Sequence, residues 1–325
     1  MNLRRLLPAA ALAAAATLAL AGCGTTEPAA DAQEGSGSLT VTDARGEKVS
    51  LDGPAKRVVG TEWNVVEALL TLGVEPVGAA DVTGYTAWDT AEKLPAGTKD
   101  IGTRGEPSVD TVAALKPDLV VATTDLADSA IDQLEKVAPV VVVRSADASR
   151  QLQQMKDNLT MIAKATGTED EAGDALDAFD AALADGKKKL ADAGLGGTPV
   201  AFADGWQQGG QVSVRPYVKG SLIADVNEKL GLTDPWTLKG DEAYGLASTD
   251  VEGLTALPAD TRFVYIANDT DGDPFADGLT DNAVWNSLAF VKAGHATRLP
   301  DGIWMFGGTA SMTQYVDALV SALTK

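Results

Sequence analysis

The sequence predicts an α/β protein of two Rossmann-like lobes joined by a single long helix, and three observations carry that expectation. Short apolar runs alternate with amphipathic stretches from Leu39 onward. A helical region of about forty-five residues, ending near Asp192, then passes without a strand before Val200. The segment 112–118 (VAALKPD), followed by a valine-rich run, is echoed by 254–260 (LTALPAD), followed by residues 263–267, and 72–74 (LGV) is echoed by 230–232 (LGL).

In chain order, residues 57–60 predict a strand. A helix follows with Val65, Val66, Leu69 and Leu70 on one face and Gly73 just past its end. A second strand is expected over 76–80. Ser108 is placed to N-cap a short helix, which Lys116 and Pro117 stop ahead of a strand at 119–122. Residues 129–137 read as a helix and 140–143 as a fully buried strand. Leu152, Met155, Leu159 and Ile162 keep helical spacing up to Gly167, and residues 168–171 (TEDE) have the form of a capping box opening a helix to about Asp192. Residues 200–203 predict the next strand. The expected divisions are a leader at 1–22, a tether at 23–38, an N-terminal lobe at 39–167, the connecting helix at 168–194 and a C-terminal lobe at 195–325.

Composition narrows the function. The chain has 325 residues, 45% of them apolar and 22% charged, too long and too hydrophobic for a disordered or disulfide-stapled class. Twenty-six basic against 46 acidic residues give a formal charge of −20, which disfavours nucleic acid as a partner. One cysteine and one histidine cannot assemble the Cys/His sites that zinc or copper prefers.

The amino terminus points outside the cytoplasm. Arg4 and Arg5 precede an Ala/Leu run that is too short for a comfortable membrane span and ends in residues 20–23 (LAGC). This resembles a bacterial lipoprotein signal, with cleavage before Cys23 and a lipid on its sulfur. Removing residues 1–22 also removes Arg4 and Arg5, taking the charge from −20 to −22. Residues 24–38 are small and polar, as a tether would be.

Ligands of open α/β sheets sit beyond the carboxyl ends of the strands. The large aromatics and arginines gather after such strands: Trp63, Tyr85, Trp88 and Arg104 in the first half, then Trp206, Arg215, Tyr217 and Tyr244, with Trp304 and Phe306 ahead of the last helix. Arg215 and Tyr217 are expected in a polar loop. Arginine suits clustered ligand oxygens, and aromatic walls suit a bulky, partly apolar ligand. No Asp or Glu joins this set as a clear acid/base pair, no nucleophile elbow or phosphate loop is present, and His295 stands alone. Residues 269–274 (DTDGDP) depart from a calcium loop and read as a solvated turn.

Residues 54–59 (PAKRVV), Glu62 with Trp63, 72–78 (LGVEPVG), 101–110 (IGTRGEPSVD), 114–120 (ALKPDLV), 285–288 (WNSL), 291–294 (VKAG) and 303–308 (IWMFGG) together resemble the iron-siderophore substrate-binding lipoproteins of ABC importers. Tyr85, Trp88 and Arg104 are most similar to the ferric-hydroxamate branch. Where that branch has a tyrosine after the strand at 119–122, this chain has Thr123, Thr124, Asp125 and Leu126. The resemblance implies a class III periplasmic-binding-protein-like, helical-backbone architecture. It also implies a shallow aromatic cleft for an Fe(III)-siderophore, no cofactor, no enzymatic activity, and anchorage on the extracytoplasmic face of the membrane. The implied partners are an ABC permease with its ATPase, met through Asp110 on one lobe and Glu252 on the other, by a monomeric receptor. Haem or a cobalamin is the alternative cargo; a bare metal ion is disfavoured by the single histidine, and a cell-surface hydrolase is the reading from another class.

Overall fold

The computed structural model describes residues 38–325. Cys23, the leader and nearly all of the expected tether lie outside the described residues. A hairpin of β1 (Leu39–Thr42) and β2 (Lys48–Leu51) opens the described chain. It is followed by β3 (Val58–Gly60), α1 (Trp63–Thr71), β4 (Gly78–Ala79), α2 (Val82–Trp88), β5 (Lys99–Asp100), α3 (Val109–Leu115), β6 (Leu119–Thr123), α4 (Asp128–Leu134) and β7 (Val140–Val143). The five strands from β3 to β7 form a parallel sheet in the order β5-β4-β3-β6-β7. Helices cover both faces, so Val59, Val120, Val121 and Val141 are fully buried and the central strands need continuous apolar runs. The order reverses direction between β3 and β6, and a crevice opens there at the strands' carboxyl ends.

Two helices follow, α5 (Gln151–Thr166) and α6 (Glu169–Asp192). Gly167 separates them with φ of 67°, a left-handed C-terminal stop, and a Cβ there would come within 2.8 Å of Pro54. The expected capping box is not formed. Thr168 occupies the N-cap, but its hydroxyl pairs with that of Thr166 at 2.7 Å, and three acids in the first turn meet the helix dipole instead. At 24 residues α6 is about 36 Å long. Its Ala172 is buried with the first lobe's Leu69, Leu159 and Ile162, whereas Phe179, Leu183 and Leu190 are buried in a cluster with Val226, Tyr315 and Leu319 of the second.

The second lobe contains β8 (Val200–Gln208), β9 (Gln211–Pro216), α7 (Leu222–Lys229), a 3-10 turn Gly253–Ala256, β10 (Arg262–Tyr265), α8 (Ala283–Ser287), α9 (Ala289–Lys292), β11 (Ala296–Arg298) and α10 (Thr309–Leu323). Its sheet runs β11-β10-β8-β9, parallel except for the hairpin of β8 with β9. That hairpin corrects the expected polar loop. The first strand continues to Gln208, Gly209 and Gly210 turn the chain with φ of 59° and 80°, and Arg215 stands on β9 with Tyr217 one residue beyond its end. The helix of the first lobe's repeat is reduced here to the 3-10 turn. Residues 269–272 form the expected exposed turn, closed by the Asn268–Gly272 bridge, and Asp269, the buried Asp273 and Asp301 surround Arg298.

Candidate functional site

Glu62 follows β3 at the switch point and N-caps α1 by accepting from the Trp63 amide at 2.9 Å. The same carboxylate oxygen accepts from Arg104 Nη1 at 2.9 Å, so the cap also fixes the arginine of the 101–107 turn. The Arg104 guanidinium lies over the Trp63 ring at 4.0 Å from its centroid and over Trp304 at 5.4 Å, and the two indoles meet edge to face at 4.7 Å. Trp63 is buried and donates through Nε1 to the carbonyl of Ala80 at 3.2 Å, so it serves as the platform beneath Arg104.

From the second lobe, Arg215 on β9 forks onto Asp204 on β8, Nε meeting Oδ1 at 2.9 Å and Nη2 meeting the other oxygen. The Tyr217 hydroxyl donates to the same carboxylate at 3.0 Å, and burial, followed by the charge of Asp204, pushes its pKa well up, so it remains a donor. Tyr244 is carried by a loop that the Asp241 carboxylate ties together through the amides of Ala243, Tyr244 and Leu246. Its hydroxyl donates to Asp125, which follows β6 of the opposite lobe. Phe306 sits among these groups, 5.2 to 5.7 Å between centroids from Trp304, Tyr244 and Tyr217. The space they enclose is about 650 Å³, within the range of small-molecule sites.

Of the residues expected in the cleft, Arg104, Arg215, Tyr244, Trp304 and Phe306 line it, and Trp63 and Tyr217 support the wall from behind. Trp206 is 45% exposed near the end of the hairpin, its ring 6.0 Å from the Arg215 guanidinium. Tyr85 and Trp88 do not line the cleft, a correction with a simple cause: they lie three residues apart on one face of α2, which is turned into the core. Tyr85 is fully buried, with its hydroxyl on the Glu92 carbonyl at 2.9 Å. The search for an acid/base pair in the sequence passed over single carboxylates that the structure places beside the aromatic set. Glu62, Asp81 and Asp125 all line the cleft, each just past a strand. The post-strand position that singled out the arginines marks these carboxylates equally. Asp110 and Glu252 are both exposed.

Behind the wall lies an acidic residue the sequence analysis did not single out. Glu67 of α1 is completely buried and accepts from Gly308 N at 2.9 Å, Ser311 N at 2.8 Å and Ser311 Oγ at 2.8 Å. It caps α10 from the other end of the chain, serving both the N-cap and third-residue amides. The close approach requires Gly307, because a Cβ there would stand 2.4 Å from Glu67 Oε2. Asp89 lies beside it, 3.4 Å from Ser311 Oγ. Burial, followed by the charge of Glu67, raises its pKa to about 10, and burial also raises that of Glu67, so the two hold a proton between them. The clamp fixes the start of α10, which is where Trp304 and Phe306 enter the wall. Among the described residues no group of His, Cys, Asp and Glu is placed to hold a metal ion, and no helix is long and apolar enough to cross a membrane.

Two α/β lobes bridged by a long helix, with an aromatic and charged cleft at the strand ends, define a two-lobed solute-binding protein. The chain belongs to the periplasmic binding protein family, whose model matches residues 58–302. It is similar to the probable siderophore-binding lipoprotein YfiY of Bacillus subtilis, 27% identical over 93% of this chain and 92% of that one. It is 30% identical to the Fe(3+)-citrate-binding protein YfmC of the same organism, over 95% of each chain. Among solved structures, the siderophore-binding protein FhuD from Vibrio cholerae, bound to Fe3+-Desferal, superimposes with a TM-score of 0.73 at 26% identity, over 83% of this chain and 98% of that one.

Proposed function

We propose that the protein is a receptor, anchored through a lipid on Cys23 at the extracytoplasmic face of the membrane, that captures a ferric siderophore in the cleft and delivers it to an ABC permease without covalent chemistry. The observation that carries this reading is the mounting of Arg104. Its guanidinium lies over Trp63 with one nitrogen bonded to Glu62, and it lines the cleft, leaving donors for the oxygens of a chelate. Trp304, Phe306 and Tyr244 give that chelate apolar walls. The names of the relatives support an iron-chelate cargo.

The test is tryptophan fluorescence titration of the full chain in detergent against ferric hydroxamates, ferric catecholates, ferric citrate, haem and cobalamin. Saturable quenching by one ferric chelate class and not by its iron-free form is the expected result; quenching by haem or cobalamin alone would overturn the cargo. Delivery rests on Asp110, in the first turn of α3, and Glu252, at the start of the 3-10 turn. Exchanging both for Lys should abolish uptake and leave cargo binding intact, and normal uptake would remove them from the docking surface.

A further inference from the structure

The charge around the cleft is unbalanced, and the imbalance bears on which chelate is admitted. Among the described residues, Arg104 and Arg215 are the two cationic side chains that line it. Arg104 is paired with Glu62 at 2.9 Å, and Arg215 is clamped on Asp204 by two nitrogens. Asp81 and Asp125 line the same space, and among the described residues neither forms an ion pair. Asp81 accepts from the Gly84 amide at 3.0 Å, and Asp125 accepts from the Tyr244 hydroxyl. Neutral donors stabilise these carboxylates without cancelling their charge. Two guanidinium groups therefore stand against four carboxylates, leaving two negative charges in excess, on a chain whose own formal charge is −20.

Arginines of this kind would favour anionic chelates only if they brought net positive charge to the cleft. Here each arrives with its own counterion, so what it offers a ligand is directed N–H groups. An anionic complex would meet Asp81 and Asp125 without compensation, in a cleft whose walls are aromatic and poorly screening.

We propose that the site discriminates among ferric chelates by charge, preferring complexes that are neutral or carry a cationic appendage, and that Asp81 and Asp125 set this preference. The inference rests on the reading of the cleft as a siderophore site, and it runs against the citrate named for one relative, since ferric citrate complexes are anionic.

The experiment varies charge at a constant iron centre. A linear ferric trihydroxamate with a free terminal ammonium is compared with its N-acetylated, neutral form and its N-succinylated, anionic form, by fluorescence titration of the full chain in detergent at low salt. The ammonium form should bind tightest, and the succinylated form at least about tenfold more weakly than it, a spread that added salt narrows. Asp81→Asn with Asp125→Asn should compress the spread to within about threefold, because asparagine keeps the N-cap and tolerates the left-handed backbone of Asp81, where φ is 49°. Equal or tighter binding of the succinylated form, or an undiminished spread in the double variant, overturns the proposal. Ferric tricatecholate or ferric citrate binding more tightly than every trihydroxamate overturns the charge rule and leaves the receptor reading standing. Silence from all ferric chelates overturns both.

Discussion

Arg104 and Arg215 reach one cleft from opposite lobes and are held by different means. Arg104 rests on indole faces with a single bond to Glu62, and its side chain is 36% exposed. Arg215 spends its fork on Asp204, whose side chain is only 11% exposed, and shares that carboxylate with a buried tyrosine. The first arrangement stabilises a cation while sparing its donors; the second uses the donors to satisfy a carboxylate taken out of water. A guanidinium beyond a strand end is thus a ligand group only to the extent that its fork is unoccupied.

The largest expected effect comes from removing the occupied fork. Arg215→Ala strands Asp204 and one bond of Tyr217, and should cost about 2 to 3 kcal/mol in denaturant unfolding at constant slope, less than a wholly buried pair loses because Arg215 is partly solvated. A stable Arg215→Ala protein with impaired cargo binding would reverse the roles assigned to the two arginines. Arg104→Ala is expected to weaken cargo binding about tenfold or more, near 1.4 kcal/mol, with stability within about 0.5 kcal/mol of the parent. Unchanged affinity would take Arg104 out of the site.

The smallest effect sharpens the contrast between a carboxylate met by a cation and one met by hydrogen bonds. Among the described residues no arginine pairs with Asp89 or Glu67, and burial, followed by the charge of Glu67, holds the Asp89 pKa far above its ordinary 3.8, at about 10. Between those values the folded protein holds a proton that the unfolded chain has released, so this contribution to stability is complete below about pH 4 and is lost as pH rises toward about 10. Unfolding at about pH 8 should therefore be easier than at about pH 6. Asp89→Asn, which supplies an amide donor without a titrating proton, should flatten that slope. A slope that survives the substitution would assign it to the general surplus of acidic charge.

The fold was largely legible because its signals are local. Valine runs predict buried parallel strands, and Ser108 caps α3 through the Thr111 amide as its position requires. β9 escaped because its alternation, with Val212, Val214 and Pro216 inward and Ser213 and Arg215 outward, lies in a polar run behind a Gly-Gly turn; that dipeptide is itself the hairpin signal. The site was legible in part. The post-strand rule found both arginines and the 304–306 wall, but failed for Tyr85 and Trp88, where the period of a seven-residue helix decided orientation. The counterions were harder to see, since a carboxylate's partner is fixed by the tertiary meeting of β8 with β9 or of the β3 end with the 101–107 turn. Glu67 did carry a local mark: it is a lone acid in an otherwise apolar stretch, between Val65, Val66, Ala68 and Leu69.

The clamp on Glu67 also imposes an order on biogenesis. A ribosome makes this carboxylate in the first quarter of the chain and its partners, Gly308 and Ser311, some 240 residues later. Until then the carboxylate has none of the donors that satisfy it in the folded protein. A chain that ended before Gly308 would lack every group that donates to the buried Glu67 at the start of the C-terminal helix.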